Sequence, residues 1–514
     1  MSTTLIRHVW IGLFLCICIV TGDAHAAGNF SITQAEDSIT VADIKEHVNV
    51  LASDTFEGRE AGSQGGMAAG VYLGEQYRKY KLAGGTSDNR YYQSFNGNYR
   101  NILGMIRGTD PVVGDEVVMV SAHYDHVGYG NSGNSRGPTG YIHNGADDNA
   151  SGIAALIEVA AAISNLNTPP RRTILFALWD AEEKGLWGSQ HWINSPTVPR
   201  DKVKMLINVD MIGRLRRGVL TCYGARTIPG LRRIISDHNH VESLKLDYTW
   251  ELPDNSDHWP FLQRHVPAMM FHTGLHNDYH TPADDLDKLN YDGIRDITRL
   301  MFHVTWDLAN REEITPFRRS VLAETVAVQK QTERGLPPRP SRLGVRWTEV
   351  DAPSAGVRVD QIRTGSAAAR AGLVVGDVIV EVGGTAVSKG SEFLVAVLAA
   401  PSPTEFVILR GEDPEPKTIS VALEGTPTRL GISWRIDPAD PGCLVLTRVV
   451  PGSPAGQAGL RLNDRIYKIG EREVSDFETI EGDAFYQTPQ LELQVERHGF
   501  LKSIDIQIPE LPNR

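Results

Sequence analysis

The sequence predicts an α/β domain built on a mostly parallel sheet sandwiched by helices, followed by two small β-rich modules. Three observations carry this. Short β-rich runs alternate with helical periods through the first 311 residues, acidic and imidazole groups recur at the ends of those runs, and the last 170 or so residues repeat themselves.

At 514 residues the chain is too long for one core. Its 41% hydrophobic and 22% charged residues are ordinary for a folded protein, and a formal charge of -12 with no basic face argues against nucleic acid. Arg7 and His8 precede an apolar run over 9–20, and Ala24-His25-Ala26 fits a small-residue cleavage site. Residues 1–26 are therefore expected to be a signal peptide, and the mature protein to be periplasmic or secreted with no stable membrane span. The apolar run is shorter than the ~20 residues that a span requires. Removal takes Cys16 and Cys18 with it. Cys222 and Cys443 then stand alone in different domains, which argues against a disulfide framework and excludes a thiolate metal site.

Helical patterns cover 41–51 and 67–80, around the glycine-rich loop Glu57-Gly58-Arg59-Glu60-Ala61-Gly62-Ser63. Strands are expected at 101–107, 116–122, 172–179, 204–209 and 268–271, and helices at 153–163, 184–193 and 290–311. In open α/β sheets ligands collect beyond the carboxyl ends of strands. His123-Tyr124-Asp125-His126, Asp180-Ala181-Glu182-Glu183, Asp210 and the 272–280 segment all lie there. The turn Gly145-Ala146-Asp147-Asp148-Asn149-Ala150-Ser151-Gly152 precedes a helix. Taken alone it is a helix cap worth about 1 kcal/mol. Four other segments with metal-type side chains make it more than that.

Two imidazoles with several carboxylates and no thiolate suit zinc, with manganese or cobalt as alternatives. The candidate ligands are His123, Asp148, Glu183, Asp210 and His280. Five exceed the three of a single open catalytic zinc, so two ions are expected, two Zn2+ per chain, with Asp148 bridging. Asp125 is expected to accept the second ring N–H of His123, as support rather than ligand. Of the adjacent pair, Glu183 is assigned to metal and Glu182 to general base. Tyr279 is a candidate donor to a tetrahedral oxyanion, against the plainer role of a packed tyrosine. Asp257-His258 lacks a nucleophile elbow and reads as pocket wall. His126, His143, His272 and His276 read as bystanders.

These segments resemble the M28 family of zinc aminopeptidases over about residues 40–311. The resemblance rests on Glu57 to Ser63, His123-Tyr124-Asp125, Gly145 to Gly152, Glu182-Glu183, Asn208-Val209-Asp210 and Tyr279-His280-Thr281-Pro282. It implies a zinc-exopeptidase fold and peptide substrates with a free N-terminus. One metal would sit on His123 and Asp210, the other on Glu183 and His280, with Asp148 between them, Glu182 as base and a cis peptide after Asp148. The N-terminal helices lead directly into the first strand, with no inserted protease-associated domain. A glutaminyl cyclase or a carboxypeptidase of the same superfamily, or an inert scaffold, are the rival readings.

Pro337-Pro338-Arg339-Pro340 closes a linker at 312–340 after a peptidase domain at 27–311. Beyond it, landmarks recur at an offset of 87, among them Leu343-Gly344-Val345 with Leu430-Gly431-Ile432 and Ala371-Gly372-Leu373 with Ala458-Gly459-Leu460. Modules at 341–425 and 426–514 follow. They resemble PDZ domains, which implies possible binding of C-terminal peptides at a sheet edge.

Overall fold

The computed structural model describes residues 29–240, 244–350, 355–411, 413–476 and 489–508. The proposed signal peptide lies outside the described residues.

The first domain is organised by strands β1 (Ala83–Gly84), β2 (Tyr92–Phe95), β3 (Tyr99–Ile106), β4 (Val117–His123), β5 (Thr173–Trp179), β6 (Val203–Val209), β7 (Val219–Tyr223), β8 (Lys245–Tyr248) and β9 (Ala268–His272). They form one sheet in the order β1-β3-β5-β4-β6-β9-β7-β8, with β2 paired to β3. Its centre, β5-β4-β6-β9, is parallel, whereas β3 joins β5 and β7 joins β9 antiparallel. The mostly parallel sheet expected from the sequence is thus the middle of a mixed one. Apolar runs such as that of β3 do not by themselves announce a strand's direction.

Alternation explains the layering. In β4, Val118, Val120 and Ala122 point into one apolar layer while Val117 and Met119 point into another, and β5 and β6 divide in the same way. The larger layer is roofed by helices Val41–Leu51, Gly152–Ser164 and Tyr291–Asn310. The second is closed by Trp192 of helix Trp187–Asn194 and Phe261 of helix Trp259–Gln263. The first of these starts three residues later than the periodicity predicts, because Gly185 (φ 101°) and Leu186 (φ 61°) take left-handed backbone.

The two C-terminal modules each contribute a described antiparallel sheet. Their 87-residue offset holds in three dimensions. Strands Val345–Val350 and Ile432–Asp437 correspond, as do helices Ala367–Arg370 and Pro454–Gln457 and strands Val378–Val382 and Arg465–Ile469. Even the stabilising pair is duplicated: Arg410 donates to Asp377 at 2.7 Å, and Arg497 to Asp464 at 2.7 Å.

The second module is docked against the first domain. The Leu246 N–H of edge strand β8 donates to His498 O at 2.9 Å, and Gly230 N–H donates to Ala439 O at 2.9 Å. Arg226 donates to Asp437 at 2.7 Å and Arg232 lies 2.8 Å from Glu496. The module therefore covers part of a strand edge that would otherwise face water.

Candidate metal centre

Apart from Asp148, the predicted ligands follow the carboxyl ends of strands. His123 ends β4, Glu182 and Glu183 follow β5, Asp210 follows β6, and His280 lies in the loop after β9. Asp148 comes from the 146–151 turn, where Asp148 (φ -103°, ψ 92°) and Asn149 depart from helical geometry and the peptide between them is cis.

The five side chains converge. His123 Nε2 lies 3.2 Å from Asp148 Oδ1 and 3.3 Å from Asp210 Oδ1. His280 Nε2 lies 3.1 Å from Asp148 Oδ2 and 3.0 Å from Glu183 Oε1. Asp148 therefore turns one oxygen to each half of the site. Two donor sets result, His123–Asp148–Asp210 and His126–Asp148–Glu183–His280, each with ligand atoms within 4.8 Å of one another.

His126 is the residue that the sequence reading set aside. Its Nδ1 is 3.0 Å from Glu183 Oε1 and 3.8 Å from Asp148 Oδ2, and its ring is edge-on to His280. The loop 57–63 brings it there: Arg59 O accepts the His126 N–H, and Glu60 pairs with His126 in an isolated bridge. The signal for it is this glycine-rich motif, which has no chemistry of its own but backs the His126 segment. Gly58 permits the approach, since a Cβ there would stand 2.5 Å from His143 O.

Asp125 acts differently from the expectation. His123 Nδ1 donates to the Asp125 backbone carbonyl at 3.2 Å, while the Asp125 carboxylate stands 4.0 Å away. That carboxylate instead accepts the N–H groups of Glu182 (2.9 Å) and Glu183 (3.3 Å), and so shapes the turn that presents both glutamates.

Two further residues brace the centre. Arg59, wholly buried, donates to the carbonyls of Leu51, Tyr124, Asn144 and Gly145. Burial lowers its pKa to about 10, partly offset by Asp148, Asp284 and Asp125. It thus brings a positive charge beneath an acidic site without consuming a carboxylate. Asp284 accepts the N–H groups of both Asp147 and Asp148 at 3.0 Å.

Electrostatics show what the cluster requires. Burial alone would lower the His123 pKa, but Asp210, Glu182 and Asp148 overcome it and hold it well above the usual histidine range. Burial would likewise lower His280, yet Asp148 and Glu183 raise it to about 10. Burial, with the charges of Glu183, Asp257 and Asp210, pushes Glu182 well up, only partly countered by His123. Packed carboxylates demand compensating positive charge, which protons on imidazole or divalent cations can provide. His280 Nε2 favours cations: it is buried near two carboxylates but aligned with neither as a hydrogen bond. An all-nitrogen-and-oxygen donor set aimed at common points fits zinc.

Tyr279 stacks on His280 with ring centroids 3.8 Å apart, and the Arg136 guanidinium lies 4.6 Å from its ring centre. Burial and the surrounding carboxylates raise its hydroxyl pKa, so the group remains a donor. His143, His272 and His276 stay outside both donor sets. Asp257 and His258 are fully buried, with Asp257 accepting the Ser189 hydroxyl.

Residues 101–305 match the model of peptidase family M28, and residues 358–410 and 445–485 match that of the PDZ domain. The first domain belongs to peptidase family M28. Among relatives of this M28 domain, leupeptin-inactivating enzyme 1 of Streptomyces exfoliatus is 28% identical over 253 residues, 49% of this chain and 52% of its own. Aminopeptidase YwaD of Bacillus subtilis is 24% identical over 226 residues, 42% and 46% of the two chains. The chain thus spans about half the length of these relatives. Among solved structures, the Legionella pneumophila LapA aminopeptidase aligns at a TM-score of 0.44 with 19% identity, covering 61% of this chain and 81% of that one. The described residues contain no helix long and apolar enough to cross a membrane.

Proposed function

We propose that this protein is an exported, two-zinc aminopeptidase that removes N-terminal residues from peptides. The observation that carries the reading is Asp148 facing His123 with one oxygen at 3.2 Å and His280 with the other at 3.1 Å, a bridging posture between two donor sets. Family membership and the aminopeptidase names of relatives support it.

In this reading His123 and Asp210 would hold one ion, Glu183 and His280 the other, and Asp148 would serve both. Zinc there would supply Lewis acidity, draw the pKa of a water toward neutrality and counter the rise at Glu182. Glu182 takes a proton from the attacking water as its oxygen bonds to the scissile carbonyl carbon. It returns that proton to the amine nitrogen as the C–N bond breaks. Tyr279, held by His280 and Arg136, donates to the developing oxyanion. Asp125 keeps both glutamates in place through their backbone N–H groups.

The N-terminal leader supports a periplasmic or secreted location. Each PDZ-like module offers strand Val345–Val350 or Ile432–Asp437, the outermost described strand of its sheet, for a C-terminal peptide to join. The central N–H of each terminal-carboxylate loop is already engaged, Gly344 by Ser341 at 2.9 Å and Gly431 by Thr428 at 3.1 Å, so a ligand would rely on the neighbouring N–H groups.

The test is a screen of aminoacyl-arylamides, N-blocked controls and N-terminal glutaminyl peptides, with and without chelator and restored zinc. Chelator-sensitive release from unblocked substrates alone is expected. Cyclisation of glutaminyl peptides, or cleavage of blocked ones, would replace this reading.

A further inference from the structure

His126 is 1% exposed, and it sits among the donors of the Glu183–His280 half. Ligands at 2.0–2.2 Å around a tetrahedral zinc stand roughly 3.3 Å from one another. Three contacts here lie close to that separation, 3.0 Å from His126 Nδ1 to Glu183 Oε1, 3.0 Å from His280 Nε2 to the same oxygen and 3.1 Å from His280 Nε2 to Asp148 Oδ2, while His126 Nδ1 stands somewhat farther, 3.8 Å, from that last oxygen. The two imidazoles are edge to face, at an interplanar angle of 80° with ring centroids 5.4 Å apart.

A rival role is a simple hydrogen bond from His126 to Glu183. Glu183 Oε1 would then serve two imidazole N–H groups at 3.0 Å while His280 Nε2 makes no aligned bond at all. A shared cation accounts for both nitrogens with one interaction. It also fits the second nitrogen of His280, whose Nδ1 hydrogen-bonds Asn134 O at 2.9 Å, leaving Nε2 as the ligand atom.

We infer that His126 is a sixth protein ligand, which closes the Glu183–His280 metal position with four donors and leaves the His123–Asp210 position, with three, as the open one. The inference rests on the two-zinc reading and deepens it. Four protein donors are the mark of a closed site, and three with a free position mark one that binds reactants.

The test uses the full chain loaded with cobalt(II). Each ligating imidazole keeps a ring N–H away from water, His123 on Asp125 O, His280 on Asn134 O, and His126 with its Nε2 buried. Three paramagnetically shifted, solvent-exchangeable ring N–H resonances are therefore expected. His126→Asn should remove one of them and weaken the equivalent bound at Glu183–His280 at least tenfold in chelator competition, with the equivalent at His123–Asp210 unchanged. Zinc X-ray absorption of the unaltered protein gives an independent count, three imidazoles over two ions. Two imidazoles over two ions, or a His126→Asn protein that keeps all three resonances, overturns the inference while leaving the two-zinc reading intact. A parent protein that takes up no metal would defeat both.

Discussion

The carboxylate of Asp284 accepts the backbone N–H of Asp148 at 3.0 Å, so one buried aspartate aims the other. It takes the N–H of Asp147 as well and lies 3.3 Å from the Arg214 guanidinium. A carboxylate that must meet two donor sets has little angular tolerance, and groups that orient ligands typically govern 10- to 100-fold in metal affinity. Asp284→Ala is expected to lose about that much affinity for at least one zinc equivalent, with the domain still folded. Chelator competition with circular dichroism as a fold control measures it. Parental affinity for both equivalents would show that the turn holds Asp148 unaided.

Glu182 and Glu183 are neighbours with opposite duties in the proposed mechanism, which makes them separable. Glu182→Gln preserves shape and the backbone N–H held by Asp125, but it removes the proton acceptor. Turnover should fall by about 10²–10⁴-fold while metal content stays at the parental level. Elemental analysis beside initial rates decides the matter, and undiminished activity would remove Glu182 from the mechanism.

What the sequence revealed of this site follows from where strands end. His123, Glu183, Asp210 and His280 each follow an apolar run, and parallel neighbours bring such ends to one edge, so convergence was legible without an atom in place. His126 was not. It lies three residues past His123 in irregular chain, and its direction depends on a bridge to Glu60, more than sixty residues earlier. The role of Asp125 was misjudged for a similar reason, since spacing cannot say whether a backbone carbonyl or a carboxylate reaches the ring. Of the sheet, the parallel centre was readable from long apolar runs. Strands β7 and β8 were not, because β8 alternates over only four residues and is completed partly by a contact with His498.

The docked second module predicts a thermodynamic link between the ends of the chain. Asp437 is fully buried, receives Arg226 at 2.7 Å and Arg465 at 3.0 Å, and is held well below the usual carboxylate range by them despite its burial. Removing one partner strands the others, at a typical cost of about 3–5 kcal/mol. Asp437→Ala should lower the melting temperature of the whole protein, because Arg226 belongs to the peptidase domain and also pairs with Glu324. An unchanged melt would mean that the two units unfold independently.

Asp257 gives a pH dependence with a definite sign. Burial, reinforced by Asp210, pushes its carboxyl up to about 7, although His123 and the Ser189 hydroxyl pull the other way. The folded metal-free protein therefore binds this proton more tightly than the unfolded chain, whose aspartates titrate near 3.9. The contribution to stability is fully present below that ordinary value and is lost as pH rises toward 7, by about 4 kcal/mol at most. Asp257→Asn mimics the protonated form and keeps an oxygen for Ser189 to bond. Metal-free wild-type protein should lose more stability than Asp257→Asn between pH 5 and 8 in denaturant titrations, while equal slopes would show that Asp257 ionises in the fold as it does in the open chain.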